Sequence, residues 1–172
     1  MSAVEERLGL LGLGLPPVAA PVAAYLPALS HNGIAYTSGQ LPFVEGALPA
    51  TGKVGGEVAP EQGQEFATFA VLNALAALKA ELGDLDRITR VLKVTVFVAS
   101  TTDFIGQPAV ANGASELLGE LFGDAGRHVR SAVGVPVLPL DSPVERVGAS
   151  RQTSAEALEA RASRASALVQ AV

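Results

Sequence analysis

Between residues 60 and 100 the hydrophobic period changes from helical to strand-like, and that change restricts the chain to architectures in which a long helix lies on a sheet. Phe66, Phe69, Leu72, Leu75, Leu78 and Leu82 recur at helical spacing after Pro60, Ala-rich turns fill the gaps, and Gly83 supplies the stop. Asp84, Asp86 and Arg87 lead into residues 88–100. There Val91-Leu-Lys-Val-Thr-Val-Phe-Val98 is β-branched in the manner of a central strand, with Lys93 as its one polar interruption.

The rest of the pattern fits around this pair. Residues 2–13 read as a short amphipathic helix with Val4, Leu8 and Leu11 on one side, ended by Gly14 and Pro16-Pro17. An extended, proline-punctuated segment, 21–28, runs to His31-Asn32-Gly33. Asn-Gly is a strong two-residue hairpin signal, which makes 34–39 the returning strand. A second helix is expected from about Phe104 or Pro108 to Phe122, with Val110, Ala114, Leu117, Leu118 and Leu121 as its buried stripe and Gly123 closing it. A strand at 128–135, a turn at 138–143 and a strand from Val144 follow. This order predicts an α+β fold: a single mixed sheet with two main helices packed on one face, a short N-terminal helix and an appended C-terminal helix over 154–172. The expected divisions are a helical extension over 1–19, a main domain over 20–149 and a helical tail over 150–172.

Composition excludes several functions. With 49% hydrophobic and 17% charged residues, the 172-residue chain has ample material for a core. Its net charge of −5, low aromatic content and lack of a basic cluster before residue 145 leave no footprint for nucleic acid. There is no cysteine, so thiolate metal sites, disulfides and cysteine nucleophiles are ruled out. His31 and His128 are the two histidines, neither in a ligand-spaced motif, so no metal is expected. No apolar run is long enough to span a membrane, and no secretory leader is recognised, so the expected localisation is cytoplasmic.

Arg130 is the residue that carries chemistry. Alternation along His128-Val-Arg-Ser-Ala-Val-Gly-Val135 puts Val129, Ser131, Val133 and Val135 on one face and Arg130, Ala132 and Gly134 on the other. The guanidinium therefore shares its face with small residues, leaving room for a small anion against a planar fork of N–H donors. The competing reading is a structural or interfacial salt bridge with an acid, Glu145 being the main candidate.

Tyr36-Thr-Ser-Gly-Gln40, the Asn73-Ala-Leu-Ala-Ala-Leu helix, Val91 to Val98, and Val129-Arg-Ser-Ala-Val-Gly-Val135 with Leu138-Pro139 and Val144-Glu145 resemble, in order and spacing, the RidA/YjgF/YER057c/UK114 family. The likeness covers about residues 20–146 and is closest to the longer branch, which carries an N-terminal helix. It implies a chorismate-mutase-like α+β fold and a homotrimer with clefts between subunits. It also implies hydrolysis of reactive enamines and imines, such as 2-aminoacrylate, to 2-keto acids and ammonia without metal or organic cofactor. By position, the resemblance makes Arg130 the grip on the substrate carboxylate, helped by the backbone at Ala132, and Glu145 the group that positions the attacking water. Tyr25, Ser38, Gly39 and Asn112 match the remaining cleft positions. Each has a plainer alternative: Ser38 can finish a strand by bonding the backbone, Asn112 can bond within its helix, and Tyr25 can be a core or interface tyrosine.

The chain departs from the family around Tyr25, where Ala-Ala precedes and Leu26-Pro27 follows, and again after Glu145. There Arg146-Val-Gly-Ala-Ser-Arg breaks the expected alternation, so the final strand is expected to be short or distorted, as an altered reading frame near residue 146 would make it. Three functions remain in order of preference: an imine or enamine deaminase; a non-catalytic binder of small 2-keto-acid-like molecules; and an endoribonuclease or translation inhibitor, which the acidic balance disfavours.

Overall fold

The computed structural model describes residues 2–18 and 24–170. Five strands, β1 (Ala28–His31), β2 (Ile34–Gln40), β3 (Ile88–Ala99), β4 (Val129–Val135) and β5 (Val144–Gln152), form one sheet in the order β1-β2-β5-β3-β4. Only the β3–β4 pair is parallel, so the sheet is mixed as expected. The β1–β2 hairpin turns at Asn32 and Gly33, whose φ values of 49° and 75° are those of the two-residue turn that Asn-Gly favours. Of the extended segment expected over 21–28, residues 21–23 lie outside the described residues.

The long helix α2 runs Pro60–Leu82, matching its periodicity. Pro60 stands where a missing N–H costs nothing, and Gly83, at φ 80°, ends it. It packs across β1, β2 and β5, while α3 (Gln107–Val110) and α4 (Asn112–Phe122) lie alongside it on the same face. The expected second helix is therefore broken at Ala111. Val71, Leu75 and Leu78 of α2 meet Val91, Val94, Val96 and Val98 of β3 and Leu118 and Leu121 of α4 in one core.

Helix α1 (Ala3–Leu10) is shorter than the 2–13 pattern. Ser2 caps it by accepting the Glu5 N–H at 3.2 Å, and Glu5 accepts the Ser2 N–H in return at 3.2 Å. Asp86 then accepts the N–H groups of Ala3 and Val4 at 2.8 and 3.1 Å, and Glu5 pairs with Lys79 of α2, so the extension is fastened to the main layer. Helix α5 (Ala155–Gln170) follows β5 and touches the single turn at Leu85–Arg87; residues 171 and 172 lie outside the described residues.

The largest departure from expectation is β5. In place of a short strand after Glu145, nine residues run through the middle of the sheet, paired with β2 on one side and β3 on the other. Backbone pairing on both edges overrides the weak side-chain pattern, because an unpaired chain there would orphan two rows of ladder groups. The irregularity that does appear is local: register shifts lie between Thr37 and Gln40 in β2 and between Ile88 and Lys93 in β3.

Candidate functional site

Cross-strand register decides which side chains can meet. One row across the sheet reads Thr37, Gly148, Val94, Arg130; the next of the same parity reads Gln40, Arg146, Val96, Ala132. Val94 and Val96 are buried beneath the helices, so Arg130 and Ala132 point to the helical face. A row of opposite parity reads Glu145, Phe97, Val133, which places Glu145 on the uncovered face. The structural salt bridge considered between Arg130 and Glu145 is therefore absent within one chain: the sheet separates them.

Arg130 is held by neutral groups. Its Nη1 donates to Asn112 Oδ1 at 2.9 Å and Ser115 Oγ at 3.2 Å, and its Nη2 donates to the Pro108 carbonyl at 3.3 Å. Of the five guanidinium hydrogens, Nε–H and one on Nη2 have no acceptor among the described residues. No acid pairs with it among those residues. The plainer alternative for Asn112, bonding within its helix, gives way to orienting Arg130. Ala132 lies on the same face, half-buried against the core, in an edge strand that leaves one row of backbone groups unpaired. Two residues on, Gly134 borders an open pocket of about 290 Å³ lined also by Ser100, Thr101, Phe104 and Gln107. Strand rise puts it some 13 Å from Arg130.

Two further residues complete this cluster. His128 Nδ1 donates to the Gly126 carbonyl at 2.6 Å, so in the neutral ring Nε2 is the acceptor, 3.1 Å from Ser115 Oγ. Burial holds the imidazole below its ordinary range, and the guanidinium charges of Arg146 and Arg130 add to that, against the opposing Gly126 bond. Neither Ser115 nor His128 was singled out for this site from sequence, although spacing pointed to both. Ser115 is one helical turn past Asn112, and His128 shares strand parity with Arg130.

A second group lies on β5 and β2, Glu145 against Gly39 with Ser38 next to it in β2 and Tyr25 on the segment that Ser38 holds. A side chain at Gly39 would overlap the Glu145 carboxylate, so only glycine lets that group lie over β2. Desolvation alone raises the Glu145 carboxyl above its ordinary range. Ser38 Oγ donates to the Leu26 carbonyl at 2.6 Å, and its N–H to the Pro27 carbonyl at 3.0 Å. In this chain Ser38 thus takes the plainer role, pinning the segment that carries Tyr25 beside β2. Tyr25 is 43% exposed, neither core nor enclosed.

Arg146 was not anticipated. It is 2% exposed beneath α2, its Nε has no partner, and burial pulls its guanidinium down to about 10. The two histidines sit at opposite edges of the sheet, His31 as the last residue of β1 and His128 just before β4. Among the described residues no group of three or more His, Asp or Glu could hold a metal, and no helix is long and apolar enough to cross a membrane.

A family model described as "YjgF/chorismate_mutase-like, putative endoribonuclease" matches residues 5–146. Protein TCP17 of Trypanosoma cruzi is 41% identical over 143 residues, 83% of this chain and 89% of that protein. Among solved structures, Atu1372 of Agrobacterium tumefaciens, a protein of unknown function, superposes with a TM-score of 0.83 at 40% identity, covering 88% of this chain and 93% of that one. A Shewanella oneidensis protein bearing the same endoribonuclease designation gives 0.84 at 36% identity, over 86% and 98% of the two chains. With its fold shared and its sequence matched over most of its length, the chain belongs to the YjgF/chorismate-mutase-like family.

Proposed function

We propose that the protein hydrolyses small carboxylate-bearing imines and enamines to 2-keto acids and ammonia, without a cofactor, in clefts between the subunits of a homotrimer. The observation that carries this reading is Arg130: a cation oriented by three neutral acceptors, with donors to spare and no acid against it among the described residues. A carboxylate is the missing complement, and two parallel charge-assisted bonds would fix its direction.

Glu145 supplies the chemistry in this scheme. Because the sheet separates it from Arg130 in one chain, the Glu145 cluster of a neighbouring copy faces the Arg130 cluster. Water adds to the imine carbon while one of its protons passes through Glu145 to the imine nitrogen, giving a carbinolamine. Glu145 then takes the hydroxyl proton as the carbonyl forms and hands it to the departing nitrogen as the C–N bond breaks, so that ammonia leaves. A carboxyl raised by desolvation suits both halves of that transfer.

Ammonia release from freshly generated 2-aminoacrylate tests the scheme. Arg130→Ala is expected to lower kcat/KM by roughly 10²-fold, the scale of a lost charged bidentate contact, and Glu145→Gln to lower kcat by about 10²-fold or more, with both variants folded. Unchanged turnover in Arg130→Ala removes that residue from the mechanism. Binding of 2-keto acids with no turnover in the parent protein favours a non-catalytic binder instead. The endoribonuclease designation of the family fits poorly with a net charge of −5, and salt-dependent RNA binding is expected to be undetectable.

A further inference from the structure

The Arg130 cluster contains a titratable group that the proposed hydrolysis does not use. Arg130 Nη1 donates to Ser115 Oγ at 3.2 Å, Ser115 Oγ lies 3.1 Å from His128 Nε2, and His128 Nδ1 donates to the Gly126 carbonyl at 2.6 Å. The carbonyl can only accept, which fixes the tautomer: the neutral imidazole takes the Ser115 hydroxyl proton, and that hydroxyl is turned away from whatever Arg130 binds.

We propose that His128 acts through Ser115 as a proton-linked positioning residue of the Arg130 site, so that a small carboxylate is held more tightly when the imidazole is protonated. This rests on the reading of Arg130 as a carboxylate anchor. Two effects act in the same direction. A protonated ring donates to Ser115 Oγ rather than accepting from it, which frees the hydroxyl hydrogen to turn toward the ligand. The ring also adds a positive charge two hydrogen bonds from Arg130. With the site empty, the guanidinium opposes protonation; a bound carboxylate cancels that opposition, so ligand and proton assist each other.

Among the described residues, the other charges near His128 do not supply an alternative carboxylate partner. Arg146 of β5 is a second cation pressing on the ring. On the preceding turn Arg127 lies 3.6 Å from Asp124, and Arg90 of β3 donates to the Arg127 carbonyl at 3.3 Å. Glu116, beside Ser115 on α4, accepts from Gln64 of α2 at 3.3 Å. Lys93 of β3 points to the opposite face of the sheet, where it donates to Ser131 at 2.7 Å.

The experiment is calorimetric titration of pyruvate into the full chain from about pH 5 to about pH 8, with the His128 ring followed by NMR in the same samples. The dissociation constant is expected to fall roughly threefold or more as pH drops through the His128 titration, the lower limit for a unit charge about 6 Å away in a water-like dielectric. Saturating pyruvate is expected to raise the His128 midpoint by the same factor, a measurement that needs no variant. Because the raised Glu145 carboxyl proposed to face this site also titrates, the variants are compared in a Glu145→Gln background, where His128→Gln should bind pyruvate with a flat pH profile and Ser115→Ala with a shallower one than Glu145→Gln alone. Pyruvate affinity that ignores the titration of His128, or a slope that survives when His128→Gln is combined with Glu145→Gln, overturns the proposal and leaves Arg130 as anchor. No pyruvate binding at any pH overturns the anchor itself, and this proposal with it.

Discussion

Arg146 and Glu145 are neighbours in β5, yet alternation sends one beneath α2 and the other to the uncovered face. The buried guanidinium is a standing cost. Below about pH 10 it carries its proton in both folded and unfolded chains, and the full penalty of burying the charge is present. Above that, only the unfolded chain keeps the proton until its own ordinary value is reached, so stability recovers as pH rises through that window. The displacement to about 10 corresponds to about 3 kcal/mol. Arg146→Met is therefore expected to raise the unfolding free energy at pH 7 by about that amount in urea denaturation. A loss of stability would mean that the guanidinium has a favourable partner. Glu145 is displaced the other way: its raised carboxyl means that stability declines as pH climbs from the ordinary carboxylate value through the folded one. Glu145→Gln is accordingly expected to melt at a higher temperature at pH 7 while losing turnover, the signature of a group kept for function against its own stability.

At the scale of elements, α4 is where packing and the proposed chemistry share a backbone. Gly113 follows Asn112 and lies against α2, where an added Cβ would overlap the Gln64 carbonyl and come within 3.0 Å of Thr68 Oγ1. Helical backbone cannot yield as a flexible side chain can, so Gly113→Ala is expected to cost about 1–3 kcal/mol and to shift Asn112 away from Arg130. Weaker pyruvate binding together with a lower denaturation midpoint checks both parts; unchanged binding would separate the helix contact from the site. Helix α2 was legible because its apolar stripe is long, and β3 because its residues are β-branched. The length of β5 was not legible, since two flanking strands dictate it and its own side chains do not. The family match also ends at Arg146, the residue that places a charge in the core.

For the whole molecule, the helices cover one face of the sheet and leave the other to solvent or to partners. Tyr36, Val129 and Val133 are 46%, 66% and 42% exposed there, in register with Lys93 and Glu145. If copies join through this face to bring Glu145 to Arg130, Val133→Glu is expected to convert the proposed trimer to monomer in sedimentation velocity. Turnover should fall with it although neither Arg130 nor Glu145 is changed; full activity in a monomer would sink the intersubunit cleft. The amino-acid sequence alone determined most of the elements, the pairing of helix layer with sheet, and which strand residues share a face with Arg130, because hydrophobic period and turn chemistry act over a few neighbouring residues. Only the tertiary structure decided that Arg130 meets Asn112, Ser115 and His128, that Glu145 lies across the sheet from it, and that Arg146 is buried. Those outcomes depend on strand register and on helices brought together from distant stretches of chain, which no local pattern encodes.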